Sequence, residues 1–459
     1  MYRADTIVAC ATSPGRSAVA IVRLSGADAS RIADALVEPT RSAAPTAWRL
    51  YRGVAREPGD DSAPIDDVLV VRMPGPRSYT GEDVVEIHCH GSPLVVERLL
   101  AACVRTGARS AERGEFTRRA VLNGRLDLLQ AEAVADLIDA RVGRAAAAAW
   151  NQLQGALSKR LQHLRSRVLD VLADVEANVD FSDDDLPEEN VDDRVVRLDG
   201  VRADIAAMLA GFAASRRLRE GCRIVFTGRP NVGKSSLVNA LLGFARMIVT
   251  DEPGTTRDAV EEVVDVAGIA CVLIDTAGMR ETPSRAERAA VERARAEAGD
   301  ADIVVAVIDR SQPLDDEDRR LLGSVIGRDA VVVLNKSDLP DRCGRRDVDR
   351  LAASNGKIVE ASAVVEGGCD ALATALVALA GHEAAGESEP VGISRIRHRT
   401  ALENADRCLA AARRLAADRA PELVAFELRA ALSHLASITD PVDNEAVLDR
   451  IFAQFCVGK

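Results

Sequence analysis

Residues 228 to 235 read Gly-Arg-Pro-Asn-Val-Gly-Lys-Ser, and this stretch decides the fold of the centre of the chain. It fits G-x-x-x-x-G-K-[ST], follows the strand-like run Arg223 to Thr227, and leads into the helical Ser236-Leu-Val-Asn-Ala-Leu-Leu. That is the strand, glycine-rich loop and helix order of a phosphate-binding loop. Its glycines let backbone N–H groups curl around phosphate oxygens at a helix N-terminus, where the dipole favours negative charge. Asn231, Val232, Gly233, Lys234, Ser235 and Ser236 are therefore expected at a nucleotide, with Lys234 neutralising the outer phosphates and the Ser235 hydroxyl on Mg²⁺.

Outward from this loop, short β-branched runs at Ala270 to Ile274, Ile303 to Ile308 and Ala330 to Leu334 alternate with helical pattern. The expectation is a doubly wound parallel sheet, an α/β module over residues 220–382. Asp275-Thr-Ala-Gly278 closes one apolar strand, at the carboxyl edge where open α/β sheets bind ligands. Asp275 is expected to support the Mg²⁺ shell, and the Gly278 N–H to sense a γ-phosphate, with Thr276 and Ala277 between them. Asn335-Lys336-Ser-Asp338 follows another strand, and Asp338 can accept two hydrogen bonds from the N1–H and exocyclic amine of guanine, a pattern adenine cannot present. Asn335 can meet the other edge of the base, and Ser362-Ala363 completes the pocket. The order of the three motifs points to a GTPase.

The flanks have a different texture. Residues 1–118 mix strand-like runs with Gly/Pro turns and read as an α+β domain, whereas 119–219 and 383–459 carry helical pattern and read as one discontinuous helical domain interrupted by the nucleotide module. The 459 residues suit about three domains. With 3% aromatic residues and a net charge of −12 the chain is no base-stacking platform, and any RNA contact must use a local patch. Nine scattered cysteines without a C-x-x-C pair suggest reduced thiols, neither a disulfide framework nor a zinc site. No signal peptide or spanning apolar run is apparent, so a soluble, cytoplasmic protein without membrane contact is expected.

The motif trio resembles translation-factor-related GTPases, and the neighbouring motifs resemble the MnmE (TrmE) family of tRNA wobble-uridine modification GTPases over almost the whole chain. Gly254-Thr-Thr-Arg-Asp258 is similar to that family's switch I. The resemblance implies that Thr250, Asp251, Glu252, Pro253, Gly254, Thr255 and Thr256 line the nucleotide, with Thr256 on Mg²⁺. Met279 stands where Ras-like enzymes have glutamine, and a thioether cannot orient a water by hydrogen bonding. The resemblance supplies instead a K⁺ ion between two dimerised G domains, held by Asn231, Thr250, Glu252 and Thr255. It also implies that Glu287 orients the attacking water, although one short motif around it fits an ordinary solvated helix too.

In the first domain, Ile21-Val-Arg-Leu-Ser-Gly26, Ser78-Tyr-Thr-Gly-Glu-Asp83 and Val84-Val-Glu-Ile-His-Cys-His-Gly91 resemble the family's tetrahydrofolate-binding domain. The resemblance maps folate contacts onto Arg23, Glu86, Arg125 and the terminal Lys459. Arg125 replaces a lysine frequent in the family, which keeps charge and alters geometry. The chain ends Cys456-Val-Gly-Lys459, similar to the family's Cys-x-Gly-Lys. Cys456 is read as a nucleophile or proton donor, or else as an inert thiol on a tail. His88 and His90 alternate on a strand, but no third ligand is spaced for a metal. Arginines at 105, 109, 113, 118, 119 and 125, and at 216, 217 and 219, can contact RNA phosphates or form ordinary solvated faces.

The resemblance implies a homodimer joined through its N-terminal domains and a heterotetramer with MnmG, a partner carrying FAD and using NADH. Together they would add an aminomethyl or carboxymethylaminomethyl group at C5 of wobble uridine U34 in tRNA, with 5,10-methylenetetrahydrofolate as carbon source and 5-formyltetrahydrofolate as a ligand of the same site. Alternatives are an Era- or EngA-like ribosome-assembly switch and a folate-binding regulatory scaffold.

Overall fold

The computed structural model describes residues 5–40, 46–59, 63–180, 191–244, 246–247, 262–266, 269–274, 301–351, 357–380, 392–417, 420–440 and 445–459. Two compact units emerge. One comprises Met1–Ala135, Gln152–Val201 and Asn404–Lys459, the other Asp136–Asn151 and Arg202–Glu403. Each draws on more than one of the segments read from the sequence, because packing follows apolar faces rather than chain order.

In the first unit β1 (Ile7–Cys10), β2 (Ser17–Ser25), β3 (Val37–Pro39), β4 (Tyr51–Arg56), β5 (Pro64–Met73), β6 (Val84–Gly91) and β7 (Arg109–Ser110) form a sheet in the order β3-β4-β5-β6-β2-β1-β7. The pairing is antiparallel except for β1 with β7. Alternation along the strands sends Val22, Leu24, Val85 and Ile87 into a core closed by helices Ala29–Leu36 and Pro93–Arg105. The intervening Arg23 and Glu86 are cross-strand partners and therefore share the opposite face. β4, Tyr-Arg-Gly-Val-Ala-Arg, carries a weak strand signal, its β-formers interrupted by a glycine and two arginines.

Helices Ala156–Asp180 and Pro421–Thr439 belong to the same unit, tied by Arg429 to Glu176 at 2.6 Å and Arg165 to Asp440 at 3.1 Å. Residues 191–220 form two helices, Val191–Ala210 and Phe212–Glu220, parted at Gly211, where helix propensity is poorest among residues other than proline.

In the second unit β8 (Cys222–Thr227), β9 (Arg246–Met247), β10 (Glu262–Val266), β11 (Ile269–Ile274), β12 (Ile303–Asp309), β13 (Ala330–Asn335) and β14 (Lys357–Glu360) form a sheet in the order β14-β13-β12-β8-β11-β10-β9. Five strands are parallel, as expected, but β10 and β9 add an antiparallel edge, so the sheet is mixed. The core strands are buried on both faces. Ile303, Val305, Val307, Val331 and Val333 enter one apolar cluster, and Val304, Ala306, Ile308, Val332 and Leu334 enter another. That two-sided burial explains their unbroken apolar runs, and the parallel pairing brings the carboxyl ends of β8, β12, β13 and β14 to one edge.

Candidate functional site

The carboxyl edge of the second sheet gathers the phosphate loop after β8 and the Asn-Lys-Ser-Asp segment after β13. Lys234 opens the helix Lys234–Phe244, and its ammonium donates to the carbonyls of Gly228 and Arg229, each at 2.8 Å, so it spans the loop it serves. Asn231 sits at φ 64°, left-handed backbone that asparagine tolerates better than other side chains. Gly233, at φ 94°, has a stricter reason: a Cβ there would lie 2.2 Å from the Asn335 Nδ2 atom.

Asn335 and Lys336 fasten the base-reading segment to the phosphate loop. The Asn335 Nδ2 donates to the Val232 carbonyl at 2.7 Å, and the Lys336 ammonium donates to the Asn231 carbonyl at 3.0 Å and to Asp309 at 2.6 Å. Sequence reading did not single out Asp309. Burial opposes its ionisation, but hydrogen bonds from Lys336 and Ser311 outweigh this and hold its carboxyl below the usual range. Its position as the last residue of β12, beside the register partner Asn335, is the signal that could have found it.

Asp338 accepts a 2.6 Å hydrogen bond from the Ser362 hydroxyl on its Oδ1. The contact fixes the carboxylate's orientation and leaves Oδ2 for a second donor. Ser362 itself follows β14, and Ala363 packs against the neighbouring core. Replacing Ser362 by alanine removes one hydrogen bond to a charged group, so affinity for a fluorescent GDP analogue is expected to fall about tenfold, in line with roughly 1.5 kcal/mol. An unchanged dissociation constant would show that Asp338 needs no such brace. On the outer side of the loop, Arg229 pairs with Asp315 and Asp318, the two carboxylates of a reciprocal cap on the helix Asp316–Ser324.

Of the other residues expected at the nucleotide, Thr250, Asp251, Glu252, Pro253, Gly254, Thr255, Thr256, Asp275, Thr276, Ala277 and Gly278 lie outside the described residues, as does Glu287. Ser235 and Ser236 begin the helix after Lys234.

A second constellation forms on the outer face of the first sheet. Arg23 donates to the Glu86 Oε1 atom at 2.8 Å, and His88 Nε2 lies 3.4 Å from Oε2. The pair is largely covered, with 17% and 15% side-chain exposure, and the Arg23 guanidinium lies 5.8 Å from the Tyr79 ring centre and 5.7 Å from that of Phe116. Arg125 donates to the carbonyl of Ser78, next to Tyr79. The chain terminus joins them. Val457 bridges Arg113, the Phe116 N–H donates to the Lys459 carbonyl at 3.2 Å, and the Arg23 guanidinium reaches the Gly458 carbonyl at 3.5 Å. The tail is thus docked on the domain that opens the chain. Cys456 is exposed there, whereas burial pushes Cys103 and Cys222 up to about 12 and leaves them as packing groups.

The donor chemistry fits the implied groups as far as it is described. Ser235 offers a hydroxyl and Asn231 a neutral amide oxygen, hard ligands suited to Mg²⁺ and an alkali cation. A carboxylate between a guanidinium and an imidazole, beside a tyrosine ring, suits a flat heterocycle with N–H donors. Among the described residues no group of three or more His, Cys, Asp or Glu side chains is placed to hold a metal ion, and His90 pairs with Asp66 at 2.8 Å.

The two arginine clusters are largely paired within the chain. Arg105 pairs with Glu57, Arg109 with Asp5 and Glu115, Arg118 with Asp449, and Arg119 is buried among Asp5, Glu82 and Glu115. Arg216 and Arg217 pair with Asp302 and Asp329, and Arg219 lies 3.8 Å from Asp136. These cations are neutralised internally; of the two clusters, Arg113 and Arg125 are the members without a carboxylate partner among the described residues.

The fold and the carboxyl-edge site define a guanine-nucleotide-binding P-loop protein, a GTPase. A family model described as the MnmE helical domain matches residues 128–456, and one described as the GTP-binding protein TrmE N-terminus matches residues 6–125. The chain is 43% identical over 465 residues to the tRNA modification GTPase MnmE of Moorella thermoacetica, covering 99% of both. It is 41% identical over 462 residues to that of Bacillus subtilis, covering 99% of this chain and 100% of the relative. The chain belongs to the MnmE family of tRNA modification GTPases. Among solved structures, the G domain of the T. maritima FeoB iron transporter overlaps 35% of this chain and 98% of its own, at 27% identity and a TM-score of 0.27, too low to add to the assignment. Among the described residues no helix is long and apolar enough to cross a membrane.

Proposed function

We propose that the chain hydrolyses GTP in order to drive, with the FAD- and NADH-using partner MnmG, the addition of an aminomethyl or carboxymethylaminomethyl group at C5 of U34 in certain tRNAs. The reading makes it a cytoplasmic homodimer joined through the N-terminal domains and a heterotetramer with MnmG. The observation that carries it is that Arg23, which is paired with Glu86, also reaches the Gly458 carbonyl of a Cys-Val-Gly-Lys terminus, in a chain that also carries a phosphate loop and an Asn-Lys-Ser-Asp segment.

At the nucleotide, Lys234 neutralises the outer phosphates and Asp338 reads the guanine edge. Ser235 and Thr256, with support from Asp275, would hold Mg²⁺, and Asn231, Thr250, Glu252 and Thr255 would hold K⁺. When bound, these cations supply positive charge where negative charge develops on the phosphates. Glu287 orients the attacking water, the duty Met279 cannot perform. At the second site Glu86 would accept hydrogen bonds from pterin N–H groups, while Arg23, Arg125 and Lys459 would hold anionic parts of a folate. Tetrahydrofolate supplies a one-carbon unit there, and Cys456 is the exposed thiol available to move a proton or attack.

Two measurements test this reading. GTP turnover is expected to be at least tenfold faster in KCl than in NaCl at equal ionic strength; equal rates would remove the cation role of Asn231. Nucleoside analysis of tRNA from cells lacking the gene is expected to show unmodified U34, and an unchanged profile would favour the ribosome-assembly alternative.

A further inference from the structure

We propose that the exposed face formed by Lys159, Arg160 and His163 on the helix Ala156–Asp180 is a docking surface for the phosphate backbone of tRNA, a site that rests on the tRNA role argued above. In a chain with a net charge of −12, no aspartate or glutamate occurs between Asp139 and Asp170. Within that run Lys159, Arg160 and His163 are exposed, and none has a carboxylate partner among the described residues. Successive helical residues turn by about 100°, so the three, together with Arg167, fall within an arc of about 100°. Arg165 points elsewhere on the same helix and is paired with Asp440 at 3.1 Å.

The contrast with the other basic clusters carries the argument. Arginines at 105, 109, 118, 119, 216, 217 and 219 meet carboxylates, so their charge is largely cancelled within a few ångströms. A phosphate would have to displace those partners. At Lys159 and Arg160 no such exchange is needed, and the helix itself carries no acidic residue from Ala156 through Leu169. The lysine ammonium and guanidinium suit phosphate oxygens, and binding there releases condensed counterions from the RNA. The face holds no aromatic platform for unstacked bases, so it is expected to grip backbone and leave recognition of the wobble base to other parts of the assembly.

The test is equilibrium binding of unmodified tRNA to the full chain across a salt series, for the wild type, Lys159→Glu/Arg160→Glu and Arg346→Glu. Arg346 is an exposed arginine on the nucleotide module and controls for total charge. The double variant is expected to bind at least tenfold more weakly, with the slope of log affinity against log salt reduced by about 2. GTP turnover and thermal midpoint should stay at wild-type values, since neither residue touches the nucleotide site or the core. Undiminished binding by the double variant, or an equal loss in Arg346→Glu, would overturn the site. Failure of the wild type itself to bind tRNA at low salt would instead remove the tRNA reading on which the site depends.

Discussion

Asp338→Asn is expected to lower affinity for GDP by about two orders of magnitude while raising affinity for xanthosine diphosphate. The carboxylate can accept from both guanine N–H groups, and charge-assisted bonds of this kind contribute about 1.5–3 kcal/mol each. An asparagine amide presents one oxygen and one NH₂, so against guanine it sets donor against donor at one position. Xanthine carries a carbonyl where guanine has its amine and accepts from that NH₂. The Ser362 hydroxyl, 2.6 Å from Asp338 Oδ1, limits how far the new side chain can rotate to escape the mismatch. Competition binding with both diphosphates measures the exchange; an unaltered ratio of the two would mean that the base is read elsewhere.

Gly458→Ala is expected to abolish binding of 5-formyltetrahydrofolate, at least a hundredfold, with GDP affinity unchanged. Gly458 has φ 99°, and a Cβ there would lie 2.2 Å from the Cys10 carbonyl oxygen. That oxygen belongs to β1 of the first sheet and cannot retreat without breaking the register of Cys10 with Val22. The alanine therefore lifts the terminus, withdrawing the Gly458 carbonyl from Arg23 and the Lys459 carbonyl from the Phe116 N–H. Isothermal titration with folinate and with GDP separates the two sites. Wild-type folinate affinity would show that the docked tail is no part of the site, and loss of both ligands would point to general misfolding.

The described part of the expected nucleotide site, the phosphate loop after β8 and the segment after β13, was legible in the sequence because it is made of contiguous loops at strand ends. Gly228 to Ser235 and Asn335 to Asp338 carry their chemistry in their spacing. Asp309 escaped notice because nothing in Ile-Asp-Arg-Ser reveals that Lys336 will turn back onto it; only the parallel pairing of β12 with β13 brings Asp309 beside Asn335. The second edge of the nucleotide sheet was missed for a related reason. Strands β9 and β10 are short, and β10 lies at an antiparallel margin without the long β-branched run that marks a doubly buried strand.

The arginines show the limit most directly. Their spacing along the chain gives no measure of the carboxylates that fold against them, and Glu57, Asp302, Asp329 and Asp449 come from distant segments.

The sequence by itself determined the phosphate loop, the Asn-Lys-Ser-Asp segment and the parallel strands that carry them, since each depends on residue type and spacing within a few turns of chain. Tertiary structure alone decided that the Gly458 carbonyl lies against the Arg23 guanidinium, that Asp309 braces the base-reading loop, and which arginines pair with carboxylates from distant segments. These depend on long-range register and on which face of a strand or helix is covered, quantities that no local pattern contains.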